Sequence, residues 1–137
     1  MKREYREQIE DYLKNNKAIQ FAYLFGSCAR NDHGPLSDID IAVYVDRRFD
    51  CFSARLRFME ELSRLVKGHP LDLVVLNTAS LILKYEVLRQ GVILKEHKKR
   101  RIPFETGVLR EYLDTEPMRR VHMEKLKRSF SRERRLG

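Results

Sequence analysis

The sequence predicts an α/β domain, and three observations carry that reading. Apolar runs of strand length recur around residues 19–25, 38–45 and 71–76. Segments with apolar residues at helical spacing stand before, between and after them, and Gly or Pro marks several of the boundaries. A chain of 137 residues accommodates one domain with one core, a sheet packed against several helices.

Tyr5, Ile9, Tyr12 and Leu13 fall at i, i+4, i+7 and i+8, which predicts an amphipathic helix ending near Asn15-Asn16. A first strand follows from about Ile19 to Phe25 and runs into Gly26-Ser27, the expected start of a short helix. The turn-forming segment Asn31-Asp32-His33-Gly34-Pro35 leads to the second strand. There a period of two sends Ile39, Ile41, Val43 and Val45 one way, and Asp38, Asp40, Ala42 and Tyr44 the other. Phe52, Leu56, Met59, Leu62 and Leu65 form a helical stripe that stops at Gly68-His69-Pro70. Leu71–Leu76 reads as a short buried strand, with Asn77-Thr78 capping the helix of Leu81, Ile82, Tyr85 and Leu88. Gly91 ends that helix, and Val92-Ile93-Leu94 is expected to be an edge strand followed by a basic loop.

Behind Pro103, the residues Phe104, Val108, Leu109, Tyr112 and Leu113 return to helical spacing, and Pro117 is expected to break or kink the segment before Met118–Phe130. Residues 1–115 are therefore read as the domain and 116–137 as a basic helical extension or tail. Its stripe of Met123, Leu126 and Phe130 is thin. That stripe fits a helix that docks on a partner as well as it fits an end that frays in solution.

Residues 1–94 carry 14 basic and 13 acidic side chains, residues 95–137 carry 14 and 7, so the net charge of +8 is C-terminal. Lys98-Lys99-Arg100-Arg101 and the run from Lys125 to Arg135 can attract a phosphate backbone, an acidic partner or a polyphosphate. No nucleic-acid motif accompanies the charge, so specific nucleic-acid binding is not favoured over a solvated face. No apolar run approaches a membrane span, and the amino terminus lacks the apolar core of a signal peptide, so a cytoplasmic protein without membrane contact is expected. Cys28 and Cys51 are read as free thiols, and the four histidines have no metal-ligand spacing.

The chemistry concentrates at Gly26-Ser27 and Asp38-Ile39-Asp40. Glycine lets backbone amides approach an anion closely, and Ser27 adds a hydroxyl. Asp is a poor strand former and two adjacent carboxylates repel, so the pair calls for a cation, and hard oxygen ligands suit Mg²⁺ or Mn²⁺. An EF-hand is excluded, because Ala42, Val43 and Phe49 stand where a ligand, the glycine and the closing Glu belong. Asp72 opens an otherwise apolar strand, where burying an unpaired carboxylate is costly. It either caps the turn after Pro70 or is brought by strand pairing beside Asp38 and Asp40. Three carboxylates around two divalent ions can hold a nucleoside triphosphate and activate an attacking hydroxyl.

Gly26-Ser27-Cys28-Ala29-Arg30 followed by Ser37-Asp38-Ile39-Asp40 resembles the Gly-Ser-x10-Asp-x-Asp signature of the polymerase-beta-like nucleotidyltransferases. Leu71-Asp72-Leu73-Val74 and Leu83–Gly91 resemble the minimal nucleotidyltransferases, in particular the MntA-type antitoxins, from about residue 18 to residue 115. The resemblance implies the polymerase-beta-like fold, a small mixed β-sheet flanked by helices with a C-terminal helical extension. It also implies Asp38, Asp40 and Asp72 as catalytic metal ligands and Gly26, Ser27, Arg30 and Ser37 as nucleotide-binding positions. Asn31 stands where the family often has Gly, with Gly34 three residues on, and Asn also tolerates left-handed backbone. The implied activity is Mg²⁺-dependent transfer of AMP from ATP to a tyrosine of a cognate HEPN-domain ribonuclease toxin, which neutralises it. Two other readings stand beside it: an antitoxin that neutralises its partner by binding alone, and nucleotidyl transfer to a small molecule, which the short chain disfavours.

Overall fold

The computed structural model describes residues 1–29 and 38–136. Its elements, in chain order, are α1 (Arg3–Asn15), β1 (Ile19–Phe25), a single 3-10 turn (Gly26–Cys28), β2 (Ile39–Val45), α2 (Cys51–Leu65), β3 (Leu71–Val75), α3 (Leu81–Gln90), β4 (Val92–Lys95) and α4 (Lys98–Leu136). The four strands form one mixed sheet in the order β3-β2-β1-β4. β1 is antiparallel to β2 and to β4, whereas β2 and β3 are parallel, so α2 is the crossover that parallel pairing requires.

The period-two pattern of β2 sorts the two layers. Ile39, Ile41, Val43 and Val45 join a core with Ile9 and Leu13 of α1 and Ala54, Phe58 and Leu62 of α2. Ala42 and Tyr44 face the other way, into a second cluster with Phe21, Tyr23, Val87 of α3 and Phe104 of α4. A register shift in β1 between Ile19 and Phe21 lets Ile19 face the first layer while Phe21 faces the second. β4 is an edge strand, as the sequence predicts, and its Lys95 ammonium donates to the Leu13 and Asn16 carbonyls at 2.7 and 2.9 Å, closing the negative end of α1.

Four local expectations are corrected. In α2 the buried row is Ala54, Phe58 and Leu62, while Phe52 and Leu56 are 71% and 53% exposed. The helix carries apolar residues on two adjacent faces, and docking, not periodicity, selects one. Asn77 does not cap α3, whose N-cap is Ser80, its hydroxyl accepting from the Leu83 N–H. Asn77 instead accepts from the Val45 N–H and donates to the Val45 carbonyl, both at 2.8 Å, extending the β2–β3 pairing by one side chain. In α3, Val87 is fully buried and Ile82 is half exposed. Lys98–Arg101 is not a loop but the first turn of α4, and the helix runs unbroken through Pro103 and Pro117.

The turn around Pro117 carries side-chain hydrogen bonds to its backbone. Proline removes one N–H and crowds the preceding turn. In that turn the Thr115 hydroxyl donates to the Glu111 carbonyl at 2.8 Å, and Arg119 donates to the Tyr112 carbonyl at 2.7 Å. Tyr85 of α3 stacks on Tyr112 with centroids 3.6 Å apart, and the Arg119 guanidinium lies 3.8 Å over the same Tyr112 ring, tying α4 to α3. The expected boundary between residues 115 and 116 thus falls inside one helix. Beyond it Met118, Val121, Met123, Leu126 and Phe130 are all exposed.

Asn77→Ala is expected to lower stability by about 1–3 kcal/mol in urea unfolding, because it leaves two backbone groups of the buried Val45 without their partner. Unchanged stability would mean that water replaces the amide at no cost.

Candidate functional site

The carboxylates gather where β1 ends and β2 and β3 begin. Register places Asp40 beside Phe25 on one side and Asp72 on the other. The Ile39 N–H donates to the Pro70 carbonyl at 2.9 Å, which pins the starts of β2 and β3 together. Strand pairing therefore puts Asp40 and Asp72 at one level on neighbouring strands, on the face that Ala42 and Val74 continue into the α3–α4 layer. Asp38 is exposed and immediately precedes β2; its carbonyl accepts from the Cys28 thiol at 3.4 Å, which holds the 3-10 turn against the strand start.

Gly26 opens that turn with φ +71°, a left-handed conformation that side chains disfavour. A Cβ built there would collide with the Asp40 carboxylate oxygen and stand 3.2 Å from its Cγ. The backbone conformation thus calls for glycine, and a side chain there would also oblige the Asp40 carboxylate to turn away. Ser27 follows with a half-exposed side chain. Arg30 and Ser37, the other two expected nucleotide-binding residues, lie outside the described residues.

Burial holds the Asp40 carboxyl above the ordinary carboxylate pKa, and the Asp72 and Asp38 charges add to that. Burial likewise raises the Cys28 thiol, with Asp40 and Asp38 contributing. Cys28 is accordingly an inert packing thiol rather than a nucleophile. Asp72 is more exposed: its Oδ1 accepts from the Leu73 N–H at 2.9 Å and lies 3.8 Å from Arg55, whose Nε donates to the Leu73 carbonyl at 3.1 Å. Arg55 is a feature that sequence reading missed. It lies on α2, and nothing local in the sequence signals that the crossover returns it to the start of β3.

Among the described residues, no three His, Cys, Asp or Glu side chains are already drawn into a metal cage. Like charges with nothing between them stay apart, and Arg55 and the Leu73 N–H hold one oxygen of Asp72. The donor set nonetheless fits a hard divalent cation. Asp40 is half-buried between two other carboxylates, a repulsion that a cation relieves, and all three supply oxygen.

A family model described as polymerase beta, nucleotidyltransferase, matches residues 7–100. No curated protein matches the chain. Among solved structures, a chain of a toxin–antitoxin complex with AMP-PNP is 28% identical with a TM-score of 0.77, covering 89% of this chain and 98% of that one. A chain of a toxin–antitoxin MntA–HpeT mutant, in which two aspartates are replaced by glutamate, is 26% identical with a TM-score of 0.75, covering 89% and 98%. A third, from a tri-AMPylated Shewanella oneidensis HEPN toxin in complex with MNT antitoxin, is 27% identical with a TM-score of 0.71, covering 90% and 96%.

Proposed function

The chain belongs to the polymerase beta nucleotidyltransferase family and matches its MNT-type antitoxins, and we propose that it transfers AMP from ATP to a tyrosine of a HEPN-domain ribonuclease toxin and so neutralises it. The observation that carries this reading is the pairing of Asp40 with Asp72 beside the positive-φ turn at Gly26. Relatives bound to AMP-PNP and to an AMPylated toxin support the nucleotide and the acceptor class.

In this reading the backbone of Gly26 and the hydroxyl of Ser27 grip the β- and γ-phosphates, with Arg30 and Ser37 as further nucleotide-binding positions. Asp38, Asp40 and Asp72 would hold Mg²⁺, two ions in the full site, with Mn²⁺ as an alternative. When bound, the metal offsets charge on the triphosphate and acidifies the acceptor hydroxyl. The acceptor oxygen bonds to the α-phosphorus as the α–β bridging P–O bond breaks, and pyrophosphate leaves toward Gly26 and Ser27. The hydroxyl proton passes to solvent water, because Oδ1 of Asp72 is engaged by the Leu73 N–H and Arg55 and its Oδ2 is the oxygen left for the metal. Positioning and electrostatics do most of the catalysis, as in phosphoryl transfer generally. Among the described residues no helix is long and apolar enough to cross a membrane; the proposed place of action is the cytoplasm.

Incubation with α-labelled ATP, Mg²⁺ and the cognate HEPN-domain toxin is expected to label the toxin on tyrosine. Folded protein that transfers no label sinks the proposal. A second reading, neutralisation by binding alone, is favoured by the exposed Met118, Met123 and Phe130 on the outer half of α4. If Asp38→Ala and Asp40→Ala variants neutralise an equal amount of toxin as well as the parent does, that second reading holds.

A further inference from the structure

The basic segment at residues 98–101 has no role in the chemistry above, yet the fold places it with care. As the first turn of α4 it brings Lys99 and Arg100 to a groove that Arg47, after β2, and Lys84 of α3 also line. The groove measures about 410 Å³, and a neighbouring hollow of about 370 Å³ shares Tyr44, Arg47 and Arg100 with it. Both lie within or near the ~300–1,000 Å³ range of small-molecule sites. Most described arginines elsewhere are ion-paired, as Arg57 is with Glu61 at 2.9 Å and Arg89 with Glu86 at 2.8 Å. Arg47, Lys84, Lys99 and Arg100 have no carboxylate within ion-pair distance among the described residues. Of the acids that line the two hollows, Asp46 is engaged by Arg48 at 3.2 Å, and Glu111 stands on α4.

Two further features suit a nucleotide rather than a simple anion. Tyr44 and Phe104 both line the groove; Phe21 covers one face of Tyr44 at 4.9 Å and the Tyr44 and Phe104 rings pack on each other at 5.3 Å, so a flat base would meet the aromatic surface that this cluster leaves outside, beside the charges. Gly107 lines it from mid-helix, where glycine costs about 1 kcal/mol relative to alanine, and a Cβ there would find nothing within 4 Å. The groove is thus open at this point, and a larger side chain at position 107 would occupy it. The N-terminal end of α4 adds its dipole to the four cations.

We propose that this groove is a second nucleotide site, distinct from the catalytic carboxylates, in which Arg47, Lys84, Lys99 and Arg100 hold the phosphate of a nucleoside phosphate and Tyr44 and Phe104 support its base. Tyr44 lies four residues along β2 from Asp40, about 13 Å at ~3.3 Å per residue, on the same sheet face. The site is near enough to sense the reaction centre and too far to share its metal. The ligand is either a free nucleotide or one already attached to an acceptor, since both present the same phosphate and base.

The inference does not rest on the transfer reaction, and its test removes that reaction. In EDTA, an Asp38→Ala/Asp40→Ala variant titrated with ADP by calorimetry is expected to bind one equivalent, with affinity falling as salt rises. Lys84→Gln or Arg100→Gln in that background weakens binding about tenfold or more, as expected for lost charge-assisted hydrogen bonds. Gly107→Met, which fills the groove and favours the helix, abolishes binding without lowering the melting temperature. Absence of saturable ADP binding in the folded Asp variant overturns the proposal, as does indifference to Lys84, Arg100 and Gly107. Hexaglutamate competing as well as ADP would reassign the groove to an acidic protein segment, and affinity that climbs with oligoadenylate length would reassign it to RNA. With the parent site intact, mass spectrometry of the acceptor separates the two nucleotide sources. A Lys84→Gln variant that adds the first AMP normally but no further units points to the attached nucleotide; unchanged unit number points to the free one.

Discussion

Asp40→Asn is expected to reduce nucleotidyl transfer on the order of 10³-fold while making the metal-free protein more stable. Loss of a partner one shell removed from a metal typically costs 10- to 100-fold, so removing the charge of Asp40, a direct ligand in the proposed reaction, is expected to cost more. Its stability effect has the opposite sign. Asp40 is held above its ordinary pKa of 3.8 by burial first, then by Asp72 and Asp38, so ionising it costs more in the folded chain than in the unfolded one. Stability is fully present below the unfolded pKa and is lost as pH rises through the raised, folded pKa. The neutral amide removes that loss. Parent and variant should therefore unfold alike near pH 3, and the variant should melt a few degrees higher at pH 7 in EDTA. Added Mg²⁺ should raise the melting temperature of the parent and not of the variant, because only a cation that binds the folded state stabilises it. A variant that keeps a tenth of parental transfer, or melts lower at neutral pH, would show that Asp40 is not the central carboxylate.

What could be read from the sequence was whatever is local or strictly periodic. Alternation in β2 assigned Ile39, Ile41, Val43 and Val45 to one layer and Ala42 and Tyr44 to the other, because side-chain period in a strand is fixed by backbone geometry. Asp72 was legible as an acid in an apolar run, and parallel pairing with β2 places it opposite Asp40. Features that depend on tertiary return were not legible. Arg55 meets Asp72 only because α2 folds back along β3, and Asn77 is claimed by Val45 because β3 ends beside β2. The stripe of large residues in α2 misleads, because close packing against the sheet puts the small Ala54 in the buried row and leaves Phe52 and Leu56 outside it. In α4, proline was read as a local breaker. The Tyr85–Tyr112 stack and the hydrogen bonds of Thr115 and Arg119 offset a cost that the sequence alone makes look decisive.

Gly26→Ala, set against Gly68→Ala, separates backbone strain from crowding at the site. Both glycines have left-handed φ, +71° and +75°, so alanine at either is expected to cost about 1–2 kcal/mol of stability from conformation alone. At Gly68 a Cβ finds nothing within 4 Å, so the cost ends there and transfer activity should stay within about twofold of the parent. At Gly26 the added carbon runs into the Asp40 carboxylate oxygen and crowds its Cγ at 3.2 Å. Relief requires the carboxylate to turn away or the 3-10 turn to lift from β2. Either movement separates the turn proposed to grip phosphate from the carboxylate proposed to act with it, and displacement of about 1 Å can cost 10²-fold in rate. Gly26→Ala is therefore expected to lose about 2–3 kcal/mol of stability and about 10²- to 10³-fold of activity, with the activity loss persisting at temperatures where both variants are fully folded. Pairing it with Asp40→Ala tests the contact itself. Once the carboxylate is gone, alanine at position 26 should cost no more stability than it does at Gly68, and a cost that stays larger would place the clash elsewhere in the turn.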